Sequence, residues 1–426
     1  MKQFASLAFF LLLCTCGPAI TSAQQQAPGF TITCGNDGDT TFVQDFPVEF
    51  RQQNRPLTAE FIFEFTDSVP EEARIAIRFA GNVWGSFLQS AVPINVAVDW
   101  RDRGDERLLA SAGPTTLFAD FTGAPDSSVW YVGALVEALT GQNQNDTMPD
   151  INVVVNSTAN WAYNVTGPIS RARTDMATVM IHELGHGLGF LSSIRVDSTI
   201  DTTANIGFLG DDGLDRFIVY DKFLETPPGL RLVDTVEFGP AGISSTGRFT
   251  AIISQLDWAG DSGVAKNGGE LVPLFAPSTF DVGSSVSHTD ESAFLRGTPN
   301  ALMTPQIANG EVIREPGQVN LGIFFDMGWP LNFDATIVST GNPTLLADRL
   351  GIYPNPTASS FVLPLGEVRN PTTAVLFDAA GRQARRMNIE NAGAQVTFSV
   401  EGLATGVYNL FVPDGDRAFT SRVVVR

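Results

Sequence analysis

Residues 182 to 186 read His-Glu-Leu-Gly-His. On a helix, positions i and i+4 lie on one face, so His182 and His186 can reach a single metal ion. Glu183 follows the first imidazole and points beside such a metal rather than onto it. A catalytic zinc takes three protein ligands and keeps its fourth position for water, whose pKa it lowers to roughly 7. Glu183 is then placed as the catalytic general base, taking a proton during attack on a carbonyl and passing it to the leaving amine. The chain contains three histidines, which leaves His288 as the one further imidazole for a tri-histidine site. A carboxylate from Asp215, Asp221 or Glu225 is the alternative third ligand, although no glutamate helix pattern surrounds them. The plain alternative for the whole motif is a chance pentapeptide on a buried helix. Against it stands the continuation Gly187-Leu188-Gly189-Phe190, in which Gly189 is well placed to end the helix in a left-handed turn.

The extended run from His182 to Phe190 resembles the metzincin clan of zinc peptidases. Most of that clan carries its third histidine three residues after the glycine, where this chain has Ser192. That departure sets aside the short-motif members such as astacins, serralysins and matrix metallopeptidases. The leishmanolysin-like branch places its third histidine far downstream. Here Ser287-His288-Thr289-Asp290, followed by Ala301-Leu302-Met303-Thr304-Pro305, resembles that branch's third ligand and Met-turn. The stretch Leu321 to Trp329 resembles the helix that closes the same subdomain. The resemblance spans Leu57 to Trp329 and implies a zinc endopeptidase acting on protein or peptide substrates. It implies His182, His186 and His288 as metal ligands and Glu183 as the catalytic residue. It also implies that Met303 supports the site from beneath without binding zinc; the plain alternative is a core methionine. The clan often uses a tyrosine just after the Met-turn to stabilise the oxyanion, but none lies between Met303 and Trp329, which leaves that task to zinc. In several metzincins a pro-segment cysteine occupies the open zinc position. Cys34-Gly35 offers such a latency ligand, the alternative being an unpaired buried thiol.

The motif needs elements to position it. Thr174 or Asp175 can cap a helix over Met176 to Leu188, which no proline interrupts. Leu57 to Phe65 alternates as a strand, and Pro70 with Glu71-Glu72 opens an amphipathic helix carrying Ile75, Ile77, Phe79, Ala80, Val83, Trp84 and Phe87. Pro93 to Trp100 reads as a second strand, and the β-branched run Ile151 to Val155 as a buried one. From Gly189 to about Trp329 the pattern loosens into loops and turns around a few small elements.

Asp and Asn cluster at Asn36–Asp39, Asn143–Asp150 and Asp211–Asp215. Oxygen ligands at such spacing suit calcium, and solvated turns account for them equally. Acidic residues outnumber basic ones by 46 to 26, for a net charge of −20, which speaks against nucleic-acid partners and anionic membranes. Lys2, the apolar run Phe4 to Cys16 and the small residues Thr21-Ser22-Ala23 read as a signal peptide, with cleavage before Gln24. Lipidation of Cys16 is the competing reading, to which Thr15 is poorly suited. Later apolar stretches are too short and interrupted for an integral membrane segment in the mature protein.

After Pro343 the sequence changes character. Tyr353-Pro354-Asn355-Pro356 marks a boundary, and strand-like runs follow at Phe361–Leu363, Ala374–Phe377, Val396–Val400, Tyr408–Val412 and Val423–Val425, as in a small β-sandwich. That boundary motif, together with Phe377-Asp378-Ala379-Ala380-Gly381-Arg382, Leu403-Ala404-Thr405-Gly406-Val407-Tyr408 and the basic residues Arg422 and Arg426, resembles the sorting domain of the Bacteroidetes type IX secretion system. The resemblance implies the type IX machinery as a partner and a secreted or cell-surface product; a carbohydrate-binding module is the alternative. The expected fold class is α+β, a metzincin-like catalytic domain with a twisted sheet, an active-site helix and a loop-rich C-terminal subdomain, followed by a small all-β sandwich. The expected domains are a signal peptide at 1–23, a pro-segment or loose lead-in at 24–55, the catalytic domain at 56–332, a linker at 333–350 and the sorting domain at 351–426. A surface adhesin or binding protein on an inactive peptidase scaffold is the rival function, and retention of Glu183 beside both helix histidines argues against it.

Overall fold

Alternation of apolar and polar residues builds the first half of the chain into a sheet, and a continuous apolar run builds the helix behind it. The computed structural model describes residues 24–39, 57–165, 169–196, 202–332, 351–366, 368, 373–377, 383–390, 392–414 and 417–426. The expected signal peptide, the remainder of the expected pro-segment, the linker and the Asp378–Arg382 motif lie outside the described residues. In chain order come strands β1 (Gln25–Pro28), β2 (Ile32–Gly35) and β3 (Phe61–Phe65), helix α1 (Glu71–Gly85), and strands β4 (Ile94–Arg101), β5 (Leu108–Pro114), β6 (Thr116–Ala119) and β7 (Tyr131–Val132). Helix α2 (Gly133–Thr140), β8 (Ile151–Asn156), the short β9 (Trp161–Ala162) and β10 (Thr174–Asp175), and helix α3 (Met176–Gly187) follow.

The central sheet has the order β2-β5-β8-β4-β3. β3, β4 and β8 are parallel, which requires crossovers such as α1 between β3 and β4. β5 runs antiparallel to β8, and β2 antiparallel to β5, at the edge. Residues 24–39 are therefore two paired strands rather than a loose lead-in: Ile32 and Cys34 alternate inward on β2 and find an apolar place on the sheet. The expected strand from Leu57 is shorter at its start. Thr58 and Ala59 donate their backbone N–H groups to Gly85 O, capping the end of α1 instead of joining the ladder.

On α1 the buried face is Ala73, Ala76, Ile77, Ala80, Val83 and Trp84, at helical spacing. Ile75, expected on that face, is turned 51% to solvent. Helix α3 is buried around its whole circumference, so its polar residues must be satisfied inside the protein. Asp175 caps it, accepting from Thr178 N at 2.8 Å, and its carboxylate is paired with the buried Arg314. Two glycines let α3 sit close to its neighbours. A Cβ on Gly187 would lie 2.4 Å from Ile151 Cγ2, and one on Gly185 would lie 2.8 Å from Met303 Sδ. Trp84 and Trp329 brace the same helix by donating from Nε1 to Ile181 O and Leu188 O, both at 2.8 Å.

Beyond α3 the chain follows the expected loop-rich course, with short elements that include the turn Pro299–Met303 and the helix Gln318–Asp326. Residues 351–426 have their own core, in which Phe361, Leu363, Leu376, Phe398, Leu410 and Val423 are buried. Two antiparallel sheets enclose it: Ser360–Pro364 pairs with Gln395–Ser399, and Gln383–Asn388, Thr373–Phe377, Gly406–Asp414 and Arg417–Val425 form the other in that order. The strand Gln383–Asn388 was not expected, because it carries Arg385 and Arg386 and has no alternation: Ala384 and Met387, three apart, both pack on the core across an irregularity in the pairing with Thr373–Phe377. Among the described residues no helix is long and apolar enough to cross a membrane.

Replacing Gly187 by Ala tests the close approach of α3 to β8. Propensity alone favours Ala in a helix by about 1 kcal/mol. Overpacking against Ile151 reverses that sign, and a net loss of about 1–3 kcal/mol is expected as a lower urea midpoint at unchanged m-value.

Candidate metal centre

His182 and His186 project from one face of α3, and His288 reaches them from the loop that precedes Pro299–Met303. His186 Nε2 lies 3.0 Å from His182 Nε2 and 3.1 Å from His288 Nε2. Each ring is held from behind by a backbone carbonyl: His182 Nδ1 lies 2.6 Å from Leu302 O, His186 Nδ1 2.6 Å from Phe190 O, and His288 Nδ1 2.7 Å from Ser284 O. A carbonyl can only accept, so each Nδ1 carries the proton and each Nε2 presents a lone pair. Three lone pairs that converge at such distances repel unless a cation lies among them, and zinc–nitrogen bonds of about 2.0–2.1 Å suit that spacing. Burial holds all three imidazoles neutral, pushing His182 down to about 4, His288 down to about 3 and His186 well below the usual histidine range. The donor set therefore fits zinc.

Glu183 is fully buried beside this cluster, and neither carboxylate oxygen has a hydrogen-bond partner. Burial pushes it well above the usual carboxylate range. The Arg103 charge and the Cys34 and Ala112 amides act in the opposite sense, without a formed hydrogen bond.

Met303 lies against α3. The turn Pro299–Met303 supplies the Leu302 carbonyl to His182, while the Met303 side chain packs beneath Gly185 of α3. Met303 O also accepts from Thr289 N at 2.9 Å, which ties the turn to the residue after His288. Val286, two residues before His288, takes a positive φ of 71°, a costly conformation for a β-branched residue. Its carbonyl accepts from Tyr220 Oη at 3.0 Å and its amide donates to Phe275 O at 2.8 Å, which secure it.

None of the alternative carboxylates stands with the imidazoles. Asp215 is exposed, and Glu225 pairs with Arg231 Nε at 3.0 Å. Asp221 is buried elsewhere, accepting from Ser192 Oγ at 2.7 Å and from the Ser193 hydroxyl. Ser192, at the position where the short-motif clan members have histidine, is thus committed to Asp221 through Oγ, while its amide donates to Ser287 Oγ at 3.0 Å. Gly189 takes a φ of 113°, turning the chain so that Phe190 O meets His186.

Cys34 arrives at the site on β2. Its Sγ, a ring nitrogen of His182 and a carboxylate oxygen of Glu183 all lie within 4.8 Å of one another. The thiol is buried and is pushed well above its usual pKa, first by burial and then by the charge of Glu183. β2 lies between β5 on one side and the segment after Met303 on the other, where Gly35 bridges Gln306 and Ile307 N donates to Gly35 O at 3.1 Å. The next residues anchor it: Asn36 Nδ2 donates to Thr174 Oγ1 at 3.0 Å, and Asp37 pairs with Arg296 at 2.6 Å.

The structure thus brings together His182, Glu183, His186, His288 and Cys34, with Met303 supporting the helix from below. Sequence reasoning missed the carbonyls of Phe190, Ser284 and Leu302 that orient the rings, since backbone acceptors leave no signature in residue type. It also missed Tyr220 and Val286.

Residues 71–225 match the model of the SPBPB7E8-like family, a span that holds α1 to α3 with His182, Glu183 and His186 but stops short of His288 and Met303. Residues 351–426 match the model of the secretion system C-terminal sorting domain. No curated protein matches the chain. The C-terminal sandwich is accordingly a type IX sorting domain, which indicates export to the cell surface or medium and engagement with that secretion machinery.

Substituting His288 by Ala removes one of three converging lone pairs. Zinc affinity, measured by competition with a chromophoric chelator, is expected to fall by more than the about 10–100-fold typical of changes outside the ligand set.

Proposed function

We propose that the chain is an exported zinc metalloendopeptidase of the metzincin kind, held latent by its own N-terminal strand. The observation that carries the reading is the convergence of three Nε2 lone pairs, each fixed by a carbonyl behind it, next to an unpartnered buried carboxylate. Zinc bound there would polarise a peptide carbonyl and acidify water. The protein's own residues do the rest. The three Nδ1–H bonds hold the imidazoles in one tautomer and orientation. Glu183, raised by burial, is suited to accept a proton from the attacking water and return it to the leaving amine. Met303 keeps the turn that orients His182 packed against α3.

The latent state follows from access. All three histidines and Glu183 have no exposure to solvent, and Cys34 shares their space. A substrate peptide has to reach Glu183, so β2 must first leave its slot beside β5.

Casein cleavage and zinc content test the chemistry. Zinc-loaded Glu183→Ala is expected to keep one zinc per chain and to lose about 10²–10⁴-fold in kcat/KM against the activated parent. Parent protein without zinc, or a variant as active as the parent, overturns the peptidase reading.

Removal of residues 24–39 tests the latency separately. The shortened chain is expected to cleave casein at least about tenfold faster than the full chain, with Cys34→Ala giving a smaller increase should the shortened chain fail to fold. Zinc-loaded, folded variants no faster than the full chain would end the latency reading and leave the Glu183 experiment to decide the chemistry.

A further inference from the structure

Two of the three acidic clusters in the sequence have an arginine partner within the chain. Asp37 pairs with Arg296 at 2.6 Å and Asp212 with Arg216 at 2.5 Å. Among the described residues no ion pair is formed by the third, which ends at Asp150. Glu137 lies on α2 one turn after Gly133, so the two share a face. A Cβ on Gly133 would lie 3.7 Å from Asp150 Oδ1, which sets the Asp150 carboxylate over that face. The loop between α2 and β8 folds onto both: Gln144 N donates to Glu137 Oε1 at 2.8 Å, and Asn145 Nδ2 to Asp150 Oδ1 at 2.8 Å. Asp150 Oδ2 is taken by Asn95 N at 2.7 Å. Two buried oxygens are left without a hydrogen-bond partner, Glu137 Oε2 and Asn145 Oδ1.

Glu137 is only 1% exposed and Asp150 fully buried. Burial, aided by the Asp150 charge, pushes Glu137 up to about 7, and among the described residues no lysine or arginine acts on either carboxylate. Ionised, Glu137 leaves two buried negative charges with no basic partner and two bare oxygens facing them. A cation among these oxygens compensates the charges and satisfies both oxygens at once.

We propose that Glu137, Asn145 and Asp150 form a calcium-binding site. The donors are oxygens only, from carboxylates and an amide, which selects a hard cation over zinc. Calcium accepts six to eight oxygens in irregular geometry at about 2.3–2.6 Å, so water can complete the shell, whereas magnesium demands a near-ideal octahedron. With Asn145 Nδ2 held by Asp150 Oδ1, the unpartnered Asn145 Oδ1 and Glu137 Oε2 are the oxygens left open to the ion, and Asp150 adds its charge. The cation joins α2, its following loop and the start of β8. Ile151, next in the chain after Asp150, is the residue against which Gly187 of α3 packs. Calcium at this place stabilises the floor on which the histidine helix rests, independently of what the histidines bind.

The test titrates the zinc-loaded full chain, desalted without chelator, with calcium chloride while following thermal unfolding. The wild type is expected to gain about 5 °C in Tm, saturably, by a few millimolar calcium. Glu137→Gln, nearly isosteric and needing no counter-charge, is expected to lose that gain while unfolding no earlier than calcium-free wild type. Asn145→Ala, on the loop, is expected to shift the calcium midpoint at least about tenfold upward, and it decides the matter should Glu137→Gln not fold. A wild type indifferent to calcium, or variants that respond as the wild type does, overturns the site.

Discussion

Three imidazoles share a space from which water is excluded, and the surrounding structure is arranged so that none of them turns away. A buried imidazole with both nitrogens unsatisfied is costly, and one with Nδ1 bonded to a carbonyl has a single lone pair left to offer. The carbonyls of Leu302, Phe190 and Ser284 make that commitment for His182, His186 and His288. Each comes from a different piece of chain: the turn that contains Met303, the bend after α3, and the loop before His288. The site exists only while all three pieces are in register. The packing of α3 on Ile151 and Met303, and the anchoring of Val286 by Tyr220, serve that register.

A polar cluster of this kind inside an apolar core has consequences for the helix that carries it. α3 is buried on every side, so its cap cannot rely on water. Asp175 is matched instead by Thr178 and the buried Arg314. A charge pair of this type contributes little net stability compared with an apolar replacement, yet breaking it by removing one partner is expensive. Its service is to fix where the helix begins, and hence the rotation at which His182 and His186 face His288. The glycines at 185 and 187 have the complementary task of allowing close contact at the other end.

The buried site and the separate C-terminal core are in keeping with the latency proposed for an exported chain. The sorting sandwich has a core of its own, built from short alternating strands. At the other end of the chain, β2 completes the sheet edge and buries Cys34 against His182 and Glu183. One strand thereby covers both the open edge of β5 and the buried polar cluster, two features that an exported chain has reason to shield.

Residue type and local spacing alone determined a good part of this. The i, i+4 histidines with Glu183 between them, the cap at Asp175, the succession of strand, helix and strand around α1 and the short strands of the C-terminal sandwich are each set by interactions within a few residues, so they were legible without a structure. The scarcity of histidine also singled out His288. What lay beyond reach was everything that depends on segments far apart in the chain. That β2 is a sheet strand and not a loose lead-in depends on the open edge of β5 more than seventy residues later. That Asp215, Asp221 and Glu225 stand clear of the imidazoles depends on partners such as Ser192 and Arg231. The carbonyls behind the rings are backbone atoms that any residue type would supply, and only the tertiary path of the chain decides which of them face a histidine.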